Sequence, residues 1–107
     1  MPKLYKLSEV RDGANAMSNG AKTQMSGEKF ESAVRIIFEA IKIHSYPEER
    51  EWLEMCSRIR NEMKKLYPGS WHCIAYETKF YSIVESTSGD YMTVKLDDLY
   101  IELFRSH

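Results

Sequence analysis

The only adjacent His/Cys pair in this chain of 107 residues is His72-Cys73. A histidine that removes the proton of a cysteine is the basis of thiol-dependent catalysis, and Asp97 or Asp98 would then orient the imidazole. Neighbouring side chains of a β-strand point to opposite faces, so in a strand His72 cannot act as a base on Cys73. We therefore expect no catalytic site and predict that the protein is not an enzyme.

The histidines and cysteines also bear on metal binding. His44, His72 and His107 are far apart in the sequence, and no carboxylates accompany them at a ligand-like spacing. Cys56 and Cys73 lack the C-x-x-C spacing of zinc and redox motifs. We expect no metal, no cofactor and no disulfide framework, and we predict that both thiols are reduced and buried.

Length and charge limit the classes of function. A chain of 107 residues suits one domain. Its 15 Lys and Arg against 16 Asp and Glu give a net charge of −1, so no basic field favours nucleic acid or anionic lipid. No apolar run approaches a membrane span, and the first residues lack the apolar stretch of a secretory signal. We expect a cytosolic protein that binds neither nucleic acid nor membrane.

Two amphipathic helices are predicted in the first two thirds of the chain. Ser26 is a suitable N-cap, because its hydroxyl can accept from the free N–H groups of the first turn. The apolar stripe of this first helix consists of Phe30, Val34, Ile37 and Ile41. A second helix is predicted to begin near Pro47, since proline suits a first helical turn, and to end at Tyr67-Pro68-Gly69. Its apolar stripe consists of Trp52, Cys56, Ile59, Met63 and Leu66.

After Ser70 the apolar pattern changes to a period of two, which is typical of β-strands. In the first strand one face is expected to carry Trp71, Cys73 and Ala75, and the other face His72, Ile74 and Tyr76. Further strands are predicted at residues 80–85, 91–96 and 99–105, with a turn at 86–90 and a hairpin at Asp97-Asp98. The fold class is α+β, with two helices packed on a small antiparallel sheet.

The first 23 residues are polar and small, which is typical of a loop. Residues 3–7 are predicted as either a strand or a loose arm, and residues 21–25 as an edge strand that leads into the first helix.

Four segments together resemble a known family. The resemblance is carried by Met25-Ser26-x-Glu28, Trp71-His72-Cys73-Ile74, Phe80-Tyr81-Ser82-Ile83-Val84 and Leu103-Phe104-Arg105-Ser106. These segments are similar to the eight-kilodalton class of dynein light chains. The resemblance covers residues 21–107 and identifies them as a dynein light chain domain, which leaves residues 1–20 as a loosely ordered N-terminal arm.

The resemblance implies a function. Members of this family form homodimers in which the strand corresponding to residues 80–85 crosses over and joins the sheet of the partner. They bind short linear segments of other proteins, including the dynein intermediate chain, by strand addition at the dimer interface. For this chain the resemblance therefore implies a non-catalytic adaptor of the microtubule motor complex, in the cytoplasm and on the cytoskeleton.

The resemblance also assigns site residues. The peptide-binding residues would be Phe80, Ser82, Ile83, Val84, Tyr91 and Thr93. The dimer-interface residues would be His72, Tyr81, Ser82, Ile83 and Glu85. His72 corresponds to an interface histidine whose protonation favours monomers, since two symmetry-related imidazoles would then repel each other.

The chain departs from the family pattern near the expected binding groove. Tyr81 stands in place of a small residue and Glu85 in place of a threonine. Trp52-Leu53 stands where the family has a Glu-Lys pair, and Glu51 is the candidate to serve instead. These departures leave an alternative function, a structural dimerisation module that has lost typical peptide recognition.

Overall fold

The computed structural model describes residues 2–15, 23–45, 49–77 and 89–106. In chain order the elements are α1 (Leu7–Asn15), α2 (Gly27–Ile43), α3 (Trp52–Leu66), β1 (Ser70–Tyr76), β2 (Tyr91–Lys95) and β3 (Tyr100–Ser106). The predicted α+β class is confirmed, but these residues form three helices rather than the two that we expected. Over the same residues, none of the helices has the length and apolar character needed to cross a bilayer.

The three strands form one antiparallel sheet in the order β1-β3-β2. The predicted Asp97-Asp98 hairpin joins β2 to β3, and the N–H of Leu96 donates to the carbonyl of Leu99 at 2.9 Å. Because β1 and β2 both run antiparallel to β3, they run parallel to each other on either side of it.

One face of the sheet packs against the helices, as the period of two predicts. The buried residues on this face are Trp71, Met92, Val94, Ile101 and Leu103, with Cys73 and Ala75 packed against them. They meet the buried side of α2 and α3. The opposite face carries His72, Ile74 and Tyr76 of β1, so the predicted division of this strand into two faces is confirmed.

Helix α2 begins where its sequence predicts and buries the predicted stripe. Val34, Ile37 and Ile41 are at most 1% exposed, and Phe30 packs at the margin of the core. Ser26 has the extended backbone of an N-cap, but its side chain makes no capping hydrogen bond, so that part of the prediction is wrong. Burial of the apolar face stabilises this helix.

Helix α3 begins at Trp52, so the predicted start near Pro47 is wrong. The preceding residues are held outside the helix by tertiary contacts. The N–H of Glu51 donates to the carbonyl of His44 at 2.6 Å. The guanidinium of Arg50 is 3% exposed and donates to the Ser45 hydroxyl at 2.9 Å and to the Asp98 carboxylate at 2.7 Å.

The predicted stripe of α3 is partly correct. Ile59 and Met63 are fully buried, together with Met55, which the stripe did not include. Leu66 is 55% exposed, so its assignment to the apolar face is wrong. In the N-terminal half of α3 the buried face therefore contains Met55 instead of the predicted Cys56, a shift of one residue.

The expected loop near the N-terminus is wrong over Leu7–Asn15, which form α1. Val10 and Ala14 are fully buried, and α1 packs against α2 and β2. Gly13 allows this close approach, since a Cβ on Gly13 would lie 2.6 Å from the carbonyl oxygen of Lys95. The division of the chain into an arm at residues 1–20 and a separate domain stays a prediction.

Candidate interaction site at the open edge of the sheet

One edge of the sheet, along β2, is closed by a segment of the same chain. The N–H groups of Gln24 and Met25 both donate to the carbonyl of Tyr91, at 2.9 and 3.2 Å. The hydroxyl of Thr23 accepts from the N–H of Thr93 at 3.0 Å. Residues 23–25 are not a strand as predicted, but they do cover this edge.

The other edge of the sheet is formed by β1. This strand pairs with β3 on one side. Across the described ranges, no strand or loop pairs with the second side of residues 70–75. A row of main-chain donors and acceptors at an unpaired edge is a template for pairing with another extended segment.

A groove of about 330 Å³ runs between this open edge and α3. Its lining residues are Leu53, Cys56, Ser57, Arg60, Trp71, His72, Cys73, Ile74 and Phe104. Leu53 is 75% exposed on the α3 side of the groove, although it is a large apolar residue. The groove therefore offers an apolar helical wall, one cationic side chain and a strand edge, which are the parts needed to hold an extended peptide.

His72 lies at this edge on the face of the sheet away from the helices. Its ring stacks on Phe104 with a centroid distance of 5.2 Å, and its Nε2 lies 2.8 Å from the hydroxyl oxygen of Ser106. The residue is exposed in the single chain. It is thus available to contact another molecule that docks at the edge.

The predicted groove residues Tyr91 and Thr93 lie on β2, and β3 separates them from the open edge. Both side chains are buried. The Tyr91 hydroxyl donates to the carboxylate of Glu102 at 3.1 Å. Burial, together with the charge of Glu102 and this hydrogen bond, raises the pKa of Tyr91 far above its usual value. The structure does not bring Tyr91 and Thr93 next to His72.

The other predicted site residues lie outside the described residues. They are Phe80, Tyr81, Ser82, Ile83, Val84 and Glu85. Their assignment to the peptide groove and the dimer interface stays a prediction.

An ionic cluster fixes the ends of the strands beside the groove. The buried carboxylate of Asp90 accepts from Arg105 at 2.8 Å and from Lys29 of α2 at 2.7 Å. The Arg105 guanidinium also lies 5.2 Å from the centre of the Trp71 ring. Burial opposes the ionisation of Asp90, but the hydrogen bonds from Lys29 and Arg105 outweigh it and lower the pKa. This cluster ties β1, β2, β3 and α2 together at one end of the open edge.

Within the described ranges, the side chains considered for catalysis and metal binding do not converge. His72 and Cys73 lie on opposite faces of β1, as the sequence predicts, and Asp98 is bound to Tyr5 and Arg50. Among the described residues, His, Cys, Asp and Glu form no group of three that could hold a metal ion. His44 contacts Glu51 and Arg58, whereas His107 is outside the described residues.

The proximity of Cys56 of α3 and Cys73 of β1 in the groove was not predicted from the sequence. Both cysteines are free and partly exposed rather than buried as predicted. The apolar patterns of α3 and β1 place each cysteine on the inward side of its element. The two cysteines come together only because α3 packs on β1, and neither pattern predicts that packing.

Comparison with known proteins adds a family to this description. A model of the family described as dynein light chain type 1 matches residues 19–106. No curated protein sequence matches the chain.

Proposed function

The chain belongs to the dynein light chain family, and we propose that it acts as a non-catalytic, dimeric adaptor that binds short extended segments of other proteins. Membership of the family supports a role as a dynein light chain. The dimer, the strand exchange and the peptide binding are the proposed steps.

The observation that carries the proposal is the open edge of β1 beside the groove on α3. The N–H and C=O groups on the outer side of residues 70–75 pair with no other described segment, and they gain hydrogen bonds when an extended segment docks beside them. Leu53, at 75% exposure, would lose contact with water at the same time. Both effects favour the addition of a strand at this position.

The strand that we propose to dock there comes from a second copy of the chain. Residues 77–90 connect the end of β1 to the start of β2, and they contain the segment 80–85 with the apolar pattern of a strand. When two copies exchange this segment, the open edge of each β1 is filled by the other. His72 then lies at the interface, in agreement with the family pattern.

An exchanged strand has an outer edge of its own, and this edge is the proposed site for a peptide. Main-chain hydrogen bonds would supply affinity, and alternate side chains would supply selectivity. A dimer has two such sites related by symmetry. Two linked sites that engage a dimeric partner can raise the apparent affinity by about 10² to 10⁴ without any new contact.

The proposed partners follow from the family. They are the dynein intermediate chain and other proteins with short linear motifs, and the proposed location is the motor complex on cytoplasmic microtubules. Neither nucleic acid nor membrane is a proposed partner, since the net charge is −1.

The test uses two leucines on the same helix. Leu53 and Leu66 are both exposed on α3, but only Leu53 lines the edge groove. We expect Leu53→Ala to weaken dimerisation, measured by sedimentation, by about tenfold, the loss of about 1.4 kcal/mol of apolar contact. Peptide binding is measured by fluorescence anisotropy with a labelled peptide of the Thr-Gln-Thr type, which the family resemblance implies as a ligand, and it should weaken together with the dimer. Leu66→Ala is the matched control and should change neither.

The outcomes separate the two functions. Dimerisation with saturable peptide binding supports the adaptor, whereas dimerisation without binding of any such peptide supports the structural dimerisation module. Equal behaviour of Leu53→Ala and Leu66→Ala would contradict the assignment of the groove.

A further inference from the structure

The groove contains a pair of thiols that the proposed function does not use. The whole chain has two cysteines, Cys56 and Cys73. They come from different elements, α3 and β1, yet both line the groove at the open edge. Both are free, and both are partly exposed. In the single chain a small solute therefore has a path to them from solvent.

The two thiols are close enough to share a hydrogen bond, which makes them chemically unequal. The S–H of Cys73 donates to Cys56 and lowers the pKa of Cys56, although partial burial opposes this. The same hydrogen bond, together with burial, raises the pKa of Cys73 well above its usual value. Cys56 is thus the thiol that ionises first, and a thiolate is the nucleophile in thiol oxidation.

We propose that Cys56 and Cys73 form a modification site, in which a hydroperoxide such as hydrogen peroxide oxidises the pair to a disulfide that joins α3 to β1. In the first step the Cys56 sulfur attacks one peroxide oxygen, so an S–O bond forms, the O–O bond breaks, and hydroxide leaves. In the second step the Cys73 sulfur attacks the Cys56 sulfur. An S–S bond forms, the S–O bond breaks, and the second oxygen leaves as water after taking up the thiol proton.

The placement of the pair gives the reaction a consequence. The disulfide would fix the distance between the two walls of the groove, α3 and β1. Arg60, which also lines the groove, supplies a positive charge that favours the ionised form of Cys73, although burial and the interaction with Cys56 outweigh it. The proposal rests on two thiols that line one groove between the packed elements α3 and β1, and it requires neither the dimer nor the peptide site proposed above.

The experiment treats the reduced full-length chain with a small excess of hydrogen peroxide and measures its intact mass. The expected product is a single chain lighter by two hydrogen atoms, without free thiols after denaturation, and restored by dithiothreitol. Because the chain has two cysteines, this product identifies the bond. A cysteine that carries two or three oxygen atoms, an interchain disulfide, or a chain that keeps both free thiols would overturn the proposal.

Two variants test the order of the steps. In Cys73→Ser, dimedone should trap a sulfenic acid on Cys56. In Cys56→Ser the trapping of Cys73 should be at least about threefold slower, since burial raises the pKa of Cys73 and the rate changes about threefold for each pKa unit. Equal trapping in the two variants would overturn the assignment of Cys56 as the first nucleophile. The mass of the oxidised wild-type chain needs neither variant and decides the existence of the bond by itself.

Discussion

Arg105 holds Asp90 through two hydrogen bonds, one of 3.0 Å from Nε and one of 2.8 Å from Nη2, and the carboxylate is only 1% exposed. The main chain of the same two residues is also joined, since the N–H of Arg105 donates to the carbonyl of Asp90 at 3.0 Å. The pair therefore fixes the register of β3 against the residue that precedes β2. The ammonium of Lys29 donates to the other carboxylate oxygen of Asp90.

We predict that Asp90→Asn is strongly destabilising. The amide has nearly the same shape as the carboxylate, but it leaves Arg105 and Lys29 without their counter-charge. Removal of one partner from a buried ion pair costs about 3–5 kcal/mol in free energy of unfolding. Urea denaturation measures this loss as a lower midpoint at constant slope.

The matched control is Asp97→Asn. Asp97 pairs with Lys3, but its side chain is 75% exposed. Exposed pairs contribute little to stability, so this variant should stay close to wild type. Equal losses in Asp90→Asn and Asp97→Asn would contradict the role assigned to the buried cluster.

Acid is predicted to destabilise the folded chain through Asp90 and Asp98. The pKa of each carboxyl is lowered in the folded state: burial opposes ionisation, but hydrogen bonds and nearby positive charge outweigh it. The unfolded chain then binds more protons than the folded chain in acid. The stabilisation is complete above the unfolded value of 3.8 and is lost as the pH falls through the lowered pKa values. Urea midpoints measured at successive pH values should fall in that window, and Asp90→Asn should show a smaller fall.

Gly13→Ala is predicted to destabilise the protein, although alanine is the better helix former by about 1 kcal/mol. The added methyl group would lie 2.6 Å from the Lys95 carbonyl oxygen and 3.0 Å from a methyl carbon of Leu96. Since the first of these is main chain, α1 must move away from β2. We expect a net loss of about 1–3 kcal/mol by thermal or urea unfolding.

Asp12→Ala is the control for Gly13→Ala. Asp12 is exposed in the same helix, so its replacement tests helix propensity alone. This variant should be neutral or slightly stabilising. A stabilising Gly13→Ala would show that α1 does not approach β2 as closely as the structure indicates.

Arg50→Lys is predicted to loosen the N-terminal segment. The Arg50 guanidinium donates to the carbonyl of Lys3 at 3.3 Å as well as to Ser45 and Asp98, and a single ammonium cannot reproduce this fork. Hydrogen exchange of residues 3–6 should become faster. Arg35→Lys, on the exposed side of α2, should leave it unchanged. Unchanged exchange in Arg50→Lys would contradict the anchoring role.

The contacts of Arg50 explain why the start of α3 was predicted wrongly from the sequence. The strands and their faces follow from a period of two, and the hairpin follows from Asp97-Asp98, because both signals are local. The start of α3 is set instead by contacts of Arg50 with Asp98, which no local pattern contains. The Tyr5 hydroxyl also donates to Asp98. Burial is the larger cause and this hydrogen bond the second cause that raise the pKa of Tyr5 to about 12.

Helix α1 and the candidate site were predictable to different degrees. The nine residues of α1 bury little beyond Val10 and two small residues, so its apolar pattern is too weak to distinguish it from a loop. His72 was placed at an interaction surface by family resemblance, and the structure puts it at the open edge. The openness of β1 could not be predicted, since the strand order β1-β3-β2 is a property of long-range pairing.

We propose that a second copy of the chain completes the open edge of β1. This dimer is tested by sedimentation equilibrium at neutral pH over a range of concentrations. We predict a species of twice the chain mass of 12.6 kDa. A single-copy species of 12.6 kDa that persists at the highest concentration would contradict it.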